Sequence, residues 1–209
     1  MPDLIIFIIE LLGTVSFAVS GAMTALKHKM DVFGVAILGL VTAVGGGVIR
    51  DLVLGITPPA TFRNPIYALV AVGTSIVIFI PAVRRVLTRH QQFYDTVMLV
   101  MDSLGLGIFT VMGIKSAYTV AGEEGTFLLL FVGVVTGVGG GVLRDVLAGD
   151  TPYIFVKHFY ATASLIGAAL SIVTRRFFGE AVAMLVGAAS TVILRFLAAH
   201  FKWSLPHAE

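Results

Sequence analysis

The sequence lacks cysteine and has few charged residues. None of its 209 residues is cysteine, and aspartate, glutamate, lysine and arginine together make up 12%. The absence of cysteine excludes a disulfide framework, a thiolate metal site and a thiol nucleophile. A soluble domain carries about 25% charged residues to solvate its surface. With 57% hydrophobic residues and a mean hydropathy of +0.99, most of the surface is expected to face lipid.

The hydrophobic residues occur in runs of about 20, the length that a helix needs to cross roughly 30 Å of hydrocarbon. Backbone polar groups must be satisfied within each run, so the runs predict helices rather than barrel strands. Lysine and arginine at the ends of the runs favour an N-terminus outside and a C-terminus in the cytoplasm. Seven spans are predicted, near residues 4–26, 32–54, 66–87, 96–117, 126–148, 159–173 and 181–199.

An internal repeat divides the chain. Residues 42–58 and 136–152 share 11 identities in 17 positions. Each repeat contains three spans, an odd number, so the second copy enters the membrane from the opposite side and forms an inverted repeat. We therefore predict an all-α membrane protein with a single transmembrane domain over 1–209. It comprises repeat one at 4–90, repeat two at 95–177 and an added seventh helix at 180–200.

Each repeat carries three consecutive glycines in its second span. Glycine in a helix interior costs about 1 kcal/mol against alanine, so a triplet predicts a kink or local unwinding of the second and fifth helices. Unwound carbonyl oxygens can replace part of a cation's hydration shell. The alternative is close helix packing, which small residues permit. The candidate pore residues are Gly45, Gly46, Gly47, Gly139, Gly140 and Gly141.

An arginine–aspartate pair follows each glycine triplet, Arg50–Asp51 in the first copy and Arg144–Asp145 in the second. Sequence neighbours do not face each other on a helix. We therefore expect Arg50 to pair with Asp145, and Arg144 with Asp51, across the two-fold axis. Such pairs would either tie the repeats together or set the field of an ion path.

Four further charged residues lie within predicted spans. Glu10 and Asp102 occupy matching positions in the first helix of each repeat. Either could attract cations at a vestibule, lie at the interface or pair with an arginine. Lys115 is expected to extend toward the interface, with a voltage-responsive charge as the alternative. Arg195 is interpreted as an interfacial anchor.

Other kinds of site find no support in the sequence. The histidines lack metal-ligand spacing, so no metal site is predicted. No nucleophile–base constellation or phosphate-binding motif appears, which argues against an enzyme. The basic residues at span ends are typical of a topology signal rather than of a nucleic-acid interface.

The repeated motif resembles prokaryotic members of the trimeric intracellular cation channel (TRIC) family. The resemblance rests on Thr42-x-x-Gly-Gly-Gly-x-x-Arg50-Asp51, Gly55-x-x-Pro58, Asp102-Ser103-Leu104-Gly105 and Gly139-Gly140-Gly141-x-x-Arg144-Asp145. It implies a homotrimer in the prokaryotic cell (inner) membrane, with a pore in each protomer lined by the kinked second and fifth helices. It also implies passage of monovalent cations, mainly potassium. Permeating potassium and membrane lipids are then the expected ligands, without a cofactor.

Two other functions fit the same pattern. Inverted repeats with broken helices also describe secondary transporters, and paired arginine and aspartate side chains could bind the two charges of an amino acid. A non-conducting structural protein would fit if the halves packed together around a dry glycine interface.

Overall fold

A computed structural model describes residues 2–122, 125–156 and 159–203. Within these ranges the chain forms helices and no strand. The helices are α1 (Pro2–Lys27), α2 (Val32–Val53), α3 (Ala60–Arg63), α4 (Ile66–Phe79), α5 (Pro81–Thr88), α6 (Gln91–Ala121), α7 (Thr126–Ala148), α8 (Tyr153–Val156) and α9 (Tyr160–His200).

Five of these helices are long and apolar enough to cross a membrane, and six spans result if α4 and α5 are counted as one bent span. The chain is thus a multi-pass helical membrane protein. The predicted spans at 4–26, 32–54 and 126–148 correspond closely to α1, α2 and α7. Helix α6 extends beyond the predicted 96–117 at both ends.

The predicted span at 66–87 is not one straight helix. Helices α4 and α5 meet at an angle of 75°. Pro81 begins α5 and Ile80 before it is extended, with φ −53° and ψ 130°. Proline has no N–H to donate and disfavours helical backbone in the residue before it, so the bend falls at this junction.

Helix α9 is also interrupted. An unbroken helix of its 41 residues would be about 60 Å long, twice the thickness of the hydrocarbon layer. Gly179 breaks it with φ 79° and ψ 179°, a conformation that side chains disfavour. The two halves then pack on each other, since the Thr191 hydroxyl lies 3.4 Å from the Ala163 carbonyl oxygen. The break at Gly179 falls in the gap between the predicted spans 159–173 and 181–199.

The glycine triplets do not unwind their helices. Helix α2 is continuous across Gly45–Gly47, and α7 is continuous across its own triplet. Instead, the two helices touch through their backbones. A Cβ atom added to Gly46 would lie 2.2 Å from the Thr136 carbonyl oxygen, and one on Gly140 would lie 2.1 Å from that of Thr42. The predicted unwinding is therefore wrong, because the glycines allow close approach of two intact helices.

Several contacts are repeated between the two halves. A Cβ atom on Gly21 would lie 2.5 Å from the Thr42 hydroxyl, and one on Gly113 the same distance from that of Thr136. Phe17 contacts its own repeat counterpart, Phe109, with ring centroids 5.3 Å apart. These contacts lie around the crossing of α2 and α7, since a Cβ atom on Gly140 would lie 3.3 Å from the Phe17 ring.

Candidate functional site: a buried charge network beside a cavity

Each arginine–aspartate pair forms within its own copy of the motif. The Nε atoms of Arg50 and Arg144 lie 2.8 Å from the Oδ1 atoms of Asp51 and Asp145, respectively. The predicted pairing across the axis is wrong. The pairs lie near the C-terminal ends of α2 and α7, where each arginine side chain binds the aspartate that follows it in the sequence.

The second oxygen of each aspartate holds the loop that follows. Asp51 Oδ2 accepts a hydrogen bond from the N–H of Ala60 at 2.7 Å, and Asp145 Oδ2 accepts one from Tyr153 at 2.8 Å. Ala60 and Tyr153 are the first residues of α3 and α8, whose N-terminal amides favour a carboxylate. Each aspartate therefore holds the short helix that follows against the end of the long helix that precedes it.

Arg144 is the centre of the network in the second half. Its side chain is fully buried, and Nη1 donates to Asp102 Oδ1 at 2.6 Å and to the Ser20 hydroxyl at 2.5 Å. With Asp145, this gives one guanidinium two carboxylate partners. Of the interpretations offered for Asp102, partnership with an arginine matches this geometry. Charged hydrogen bonds of this kind offset the cost of burying the ions.

Arg195 joins the network from the second half of α9. It is 4% exposed, its Cζ lies 4.8 Å above the ring of Tyr160, and its Nη2 lies 3.9 Å from Asp102 Oδ2. The interpretation as an interfacial anchor is therefore wrong. In the sequence, Arg195 stands out only as an arginine inside an apolar run. The reversal of the chain at Gly179 is what places Arg195 against α6.

A cavity of about 610 Å³ opens onto this network. Asp102, Arg195 and Tyr153 line it, together with the exposed side chains of Lys27 and Lys202. Within the described parts of the chain, Oδ2 of Asp102 and Nε of Arg195 make no hydrogen bond. Asp102 and Arg195 thus line the cavity and each keeps one buried side-chain atom, a carboxylate oxygen and a guanidinium nitrogen, with unused hydrogen-bonding capacity.

Burial and neighbouring charges act in opposite directions on Tyr153, which lies outside the long helices. Desolvation raises the pKa of its phenol, and the nearby Arg144 guanidinium lowers it; desolvation is the larger effect, and the pKa is raised. Tyr153 therefore stays neutral at physiological pH. Its ring also covers Arg144, whose Cζ lies 4.7 Å from the ring centroid.

The corresponding site in the first half is simpler. Glu10 accepts a hydrogen bond from the Tyr67 hydroxyl, as Asp102 does from Tyr160. Arg50, however, has Asp51 as its one ion-pair partner among the residues that the structure describes. The two halves therefore differ: Arg144 has two carboxylate partners, whereas Glu10, at the position matching Asp102, binds Tyr67 and leaves Arg50 with one.

Lys115 lies elsewhere. Its Nζ is 2.9 Å from Oε1 of Glu180, whose Oε2 is 2.9 Å from Arg175 Nη1. Lys115 is not among the residues lining the cavity. This cluster stands beside the Gly179 turn and connects α6 with α9.

The fold and this network define a multi-pass helical membrane protein with a charged cavity beside the crossing of two glycine-rich helices. The chain belongs to the family described as glycine transporter, whose sequence model matches residues 7–82 and 99–176. It is 36% identical to the UPF0126 inner membrane protein YadS of Escherichia coli K12, over 97% of this chain and 96% of that protein.

Solved structures are similar over almost the whole chain. One comes from work on the structural basis for conductance through TRIC cation channels. It is 38% identical with a TM-score of 0.82, and the match covers 97% of this chain and 96% of that one. The TRIC orthologue from Rhodobacter sphaeroides is 33% identical with a TM-score of 0.85, and the match covers 95% of this chain and 99% of that one. The predicted membership of the prokaryotic TRIC family is thus confirmed.

Proposed function

We propose that the protein is a monovalent cation channel that passes potassium, with one pore in each protomer. The observation that carries the proposal is the cavity that reaches the buried carboxylate of Asp102, in a fold shared with TRIC cation channels. A carboxylate with an unused oxygen attracts cations and can replace part of their hydration shell.

The proposed path continues from the cavity past Asp102 to the crossing of α2 and α7. Arg144 stands between them: it binds Asp102, and a Cβ atom on Gly141 would lie 3.7 Å from its Nη2. The backbone contact at Gly46 and Gly140 leaves no room for an ion, so the arrangement corresponds to a closed path. Opening then requires α2 and α7 to separate, with the glycine triplets bending as the helices move apart.

The proposed assembly is a homotrimer in a prokaryotic inner membrane, with the N-terminus outside and the C-terminus in the cytoplasm. Counting α4 and α5 as one bent span, and α9 as two spans joined at Gly179, gives seven. These form two inverted three-span repeats and an added helix. Two relatives support this arrangement: the R. sphaeroides protein is named as a trimeric channel orthologue, and YadS is named as an inner membrane protein.

Single-channel recording in planar bilayers tests the proposal. Purified full-length protein should give unitary currents in symmetric KCl, and replacing potassium by a large organic cation should abolish them. Asp102→Asn should reduce the unitary conductance several-fold, because it removes the carboxylate that lines the cavity. Glu10→Gln is the matched control in the first repeat and should leave the conductance nearly unchanged. Well-folded protein without unitary currents would refute the proposal.

A second candidate is a carrier for a small amino acid. It is favoured by the description of the family as glycine transporter and by the two unused groups of opposite charge, Asp102 Oδ2 and Arg195 Nε. An ammonium and a carboxylate on one small zwitterion match these groups. Counterflow of labelled glycine in proteoliposomes discriminates: saturable exchange indicates a carrier, whereas flux proportional to the driving force indicates a channel.

A further inference from the structure

A second cavity, of about 470 Å³, lies where the end of α1, the bend between α4 and α5 and the start of α6 meet. Three cationic side chains line it, those of Lys27, Lys29 and Arg84. Its apolar lining comprises Leu26, Met30 and Phe79.

The charge of this cavity is one-sided. No aspartate or glutamate is among the residues that line it, and none of its three cations forms an ion pair with any residue in the described ranges. The buried arginine of the charge network and Lys115, in contrast, each have a carboxylate partner. Three cations gathered without a counter-ion provide a strong local attraction for an anion.

The cavity also lies at the end of α1, a helix long and apolar enough to cross a membrane. Helix α1 ends at Lys27, and the amphipathic α5 turns through 75° away from α4. Val83 and Leu87 of α5 pack toward the hydrophobic core, while Arg84 is exposed and its Cζ lies 5.6 Å from the ring of Phe79. An amphipathic helix with cations on its outer face is the arrangement expected in the headgroup region.

We propose that this cavity binds the phosphate headgroup of an anionic phospholipid. The phosphate would accept charged hydrogen bonds from Lys27, Lys29 and Arg84, and the upper part of an acyl chain would lie against Phe79 and Leu26. The proposal rests on the membrane crossing of the chain and is independent of the proposed channel function. Because Lys27 lines both cavities, the bound headgroup would lie next to the cavity that holds Asp102.

Thermal unfolding of the full-length protein in detergent tests the proposal without requiring transport. Adding phosphatidylglycerol should raise the melting temperature in a saturable manner, whereas phosphatidylcholine with the same acyl chains should not. The double variant Lys29→Gln/Arg84→Gln should bind phosphatidylglycerol about 25-fold more weakly, at about fivefold for each cation near an anionic headgroup. The matched control is Arg85→Gln/Arg89→Gln, which removes the same charge from the same region without touching the cavity lining.

Each outcome decides the matter. A saturable shift that the Lys29/Arg84 variant loses and the Arg85/Arg89 variant keeps supports the proposal. Equal losses in both variants would show a diffuse charge effect and overturn it, as would an equal shift with phosphatidylcholine. Inorganic phosphate is the third arm, and a shift of the same size at millimolar phosphate would identify the ligand as a free anion and overturn the lipid assignment.

Discussion

Replacing single glycines of the first triplet by alanine separates close packing from unwinding. A Cβ atom on Gly46 would lie 2.2 Å from the Thr136 carbonyl oxygen, a backbone atom, where ordinary contact begins at about 3.4 Å. Helices α2 and α7 would have to move apart by roughly 1 Å, at a cost near the upper end of overpacking penalties, about 3 kcal/mol. Replacing glycine by alanine stabilises the helix itself by about 1 kcal/mol through its higher helix propensity. The net loss for Gly46→Ala is thus about 2 kcal/mol.

The adjacent Gly47 is the matched control. Apart from the backbone of its own helix, the nearest atom to a Cβ there is the side-chain Nη2 of Arg50 at 3.9 Å, so alanine fits without displacement. Gly47→Ala should therefore keep or raise stability, by up to about 1 kcal/mol, through helix propensity alone. The two substitutions are chemically identical and one position apart. Stability changes of opposite sign would therefore be due to the contact between α2 and α7 at Gly46.

Thermal unfolding monitored by fluorescence-detected size exclusion measures the difference. A loss of about 2 kcal/mol corresponds to a decrease of about 4–8 °C in the melting temperature for Gly46→Ala, at 2–4 °C per kcal/mol for a chain of this size. Gly47→Ala should melt at or above the wild-type temperature. If both variants melted at the same lowered temperature, the triplet would require the backbone conformations that only glycine adopts, and not the close packing of α2 on α7. If Gly46→Ala were as stable as wild type, the backbone contact itself would be refuted.

Three further predictions follow from the charges. Asp145→Ala should cost about 3 kcal/mol, since Arg144 is fully buried and keeps Asp102 as its one carboxylate partner. Asp51→Ala should cost about 1–2 kcal/mol, because its partner Arg50 is partly exposed. Urea or thermal unfolding compares the two variants, and equal costs would contradict the argument. Lys115→Met should change stability by less than about 1 kcal/mol in the same assay, because its ion pair is partly exposed to solvent. Asp102→Asn should weaken conductance under the channel proposal and abolish glycine counterflow under the carrier alternative, and an effect on neither would exclude the cavity from transport.

Run lengths and composition were enough to predict most of the helices, because crossing the hydrocarbon layer requires a local apolar segment of set length. The ends of α2 and α7 were predicted closely for the same reason. The bend before Pro81 was not predicted, and the reversal at Gly179 was predicted only as a gap between two spans, without the residue that makes it. Both depend on the backbone conformation of one residue, which a hydrophobic count does not contain.

The partners of the charges could not be read from spacing. The repeated motif identified Arg144 and Asp145 as important, but their contacts depend on where α8 returns and on how α6 packs. Arg195 was misplaced because it reaches Asp102 only after α9 doubles back. Side-chain partners more than about 40 residues apart are set by helix packing rather than by local pattern.

The sequence by itself determined that the chain is a helical membrane protein with two related halves, since hydrophobic length and internal repetition are properties of the chain alone. Tertiary structure decided what the repeated glycines do. A glycine triplet has the same local tendency wherever it occurs, and it can loosen a helix or admit a neighbour. In this protein α7 lies against α2 closely enough that only hydrogen fits between their backbones, so the triplets remain helical and become the crossing point.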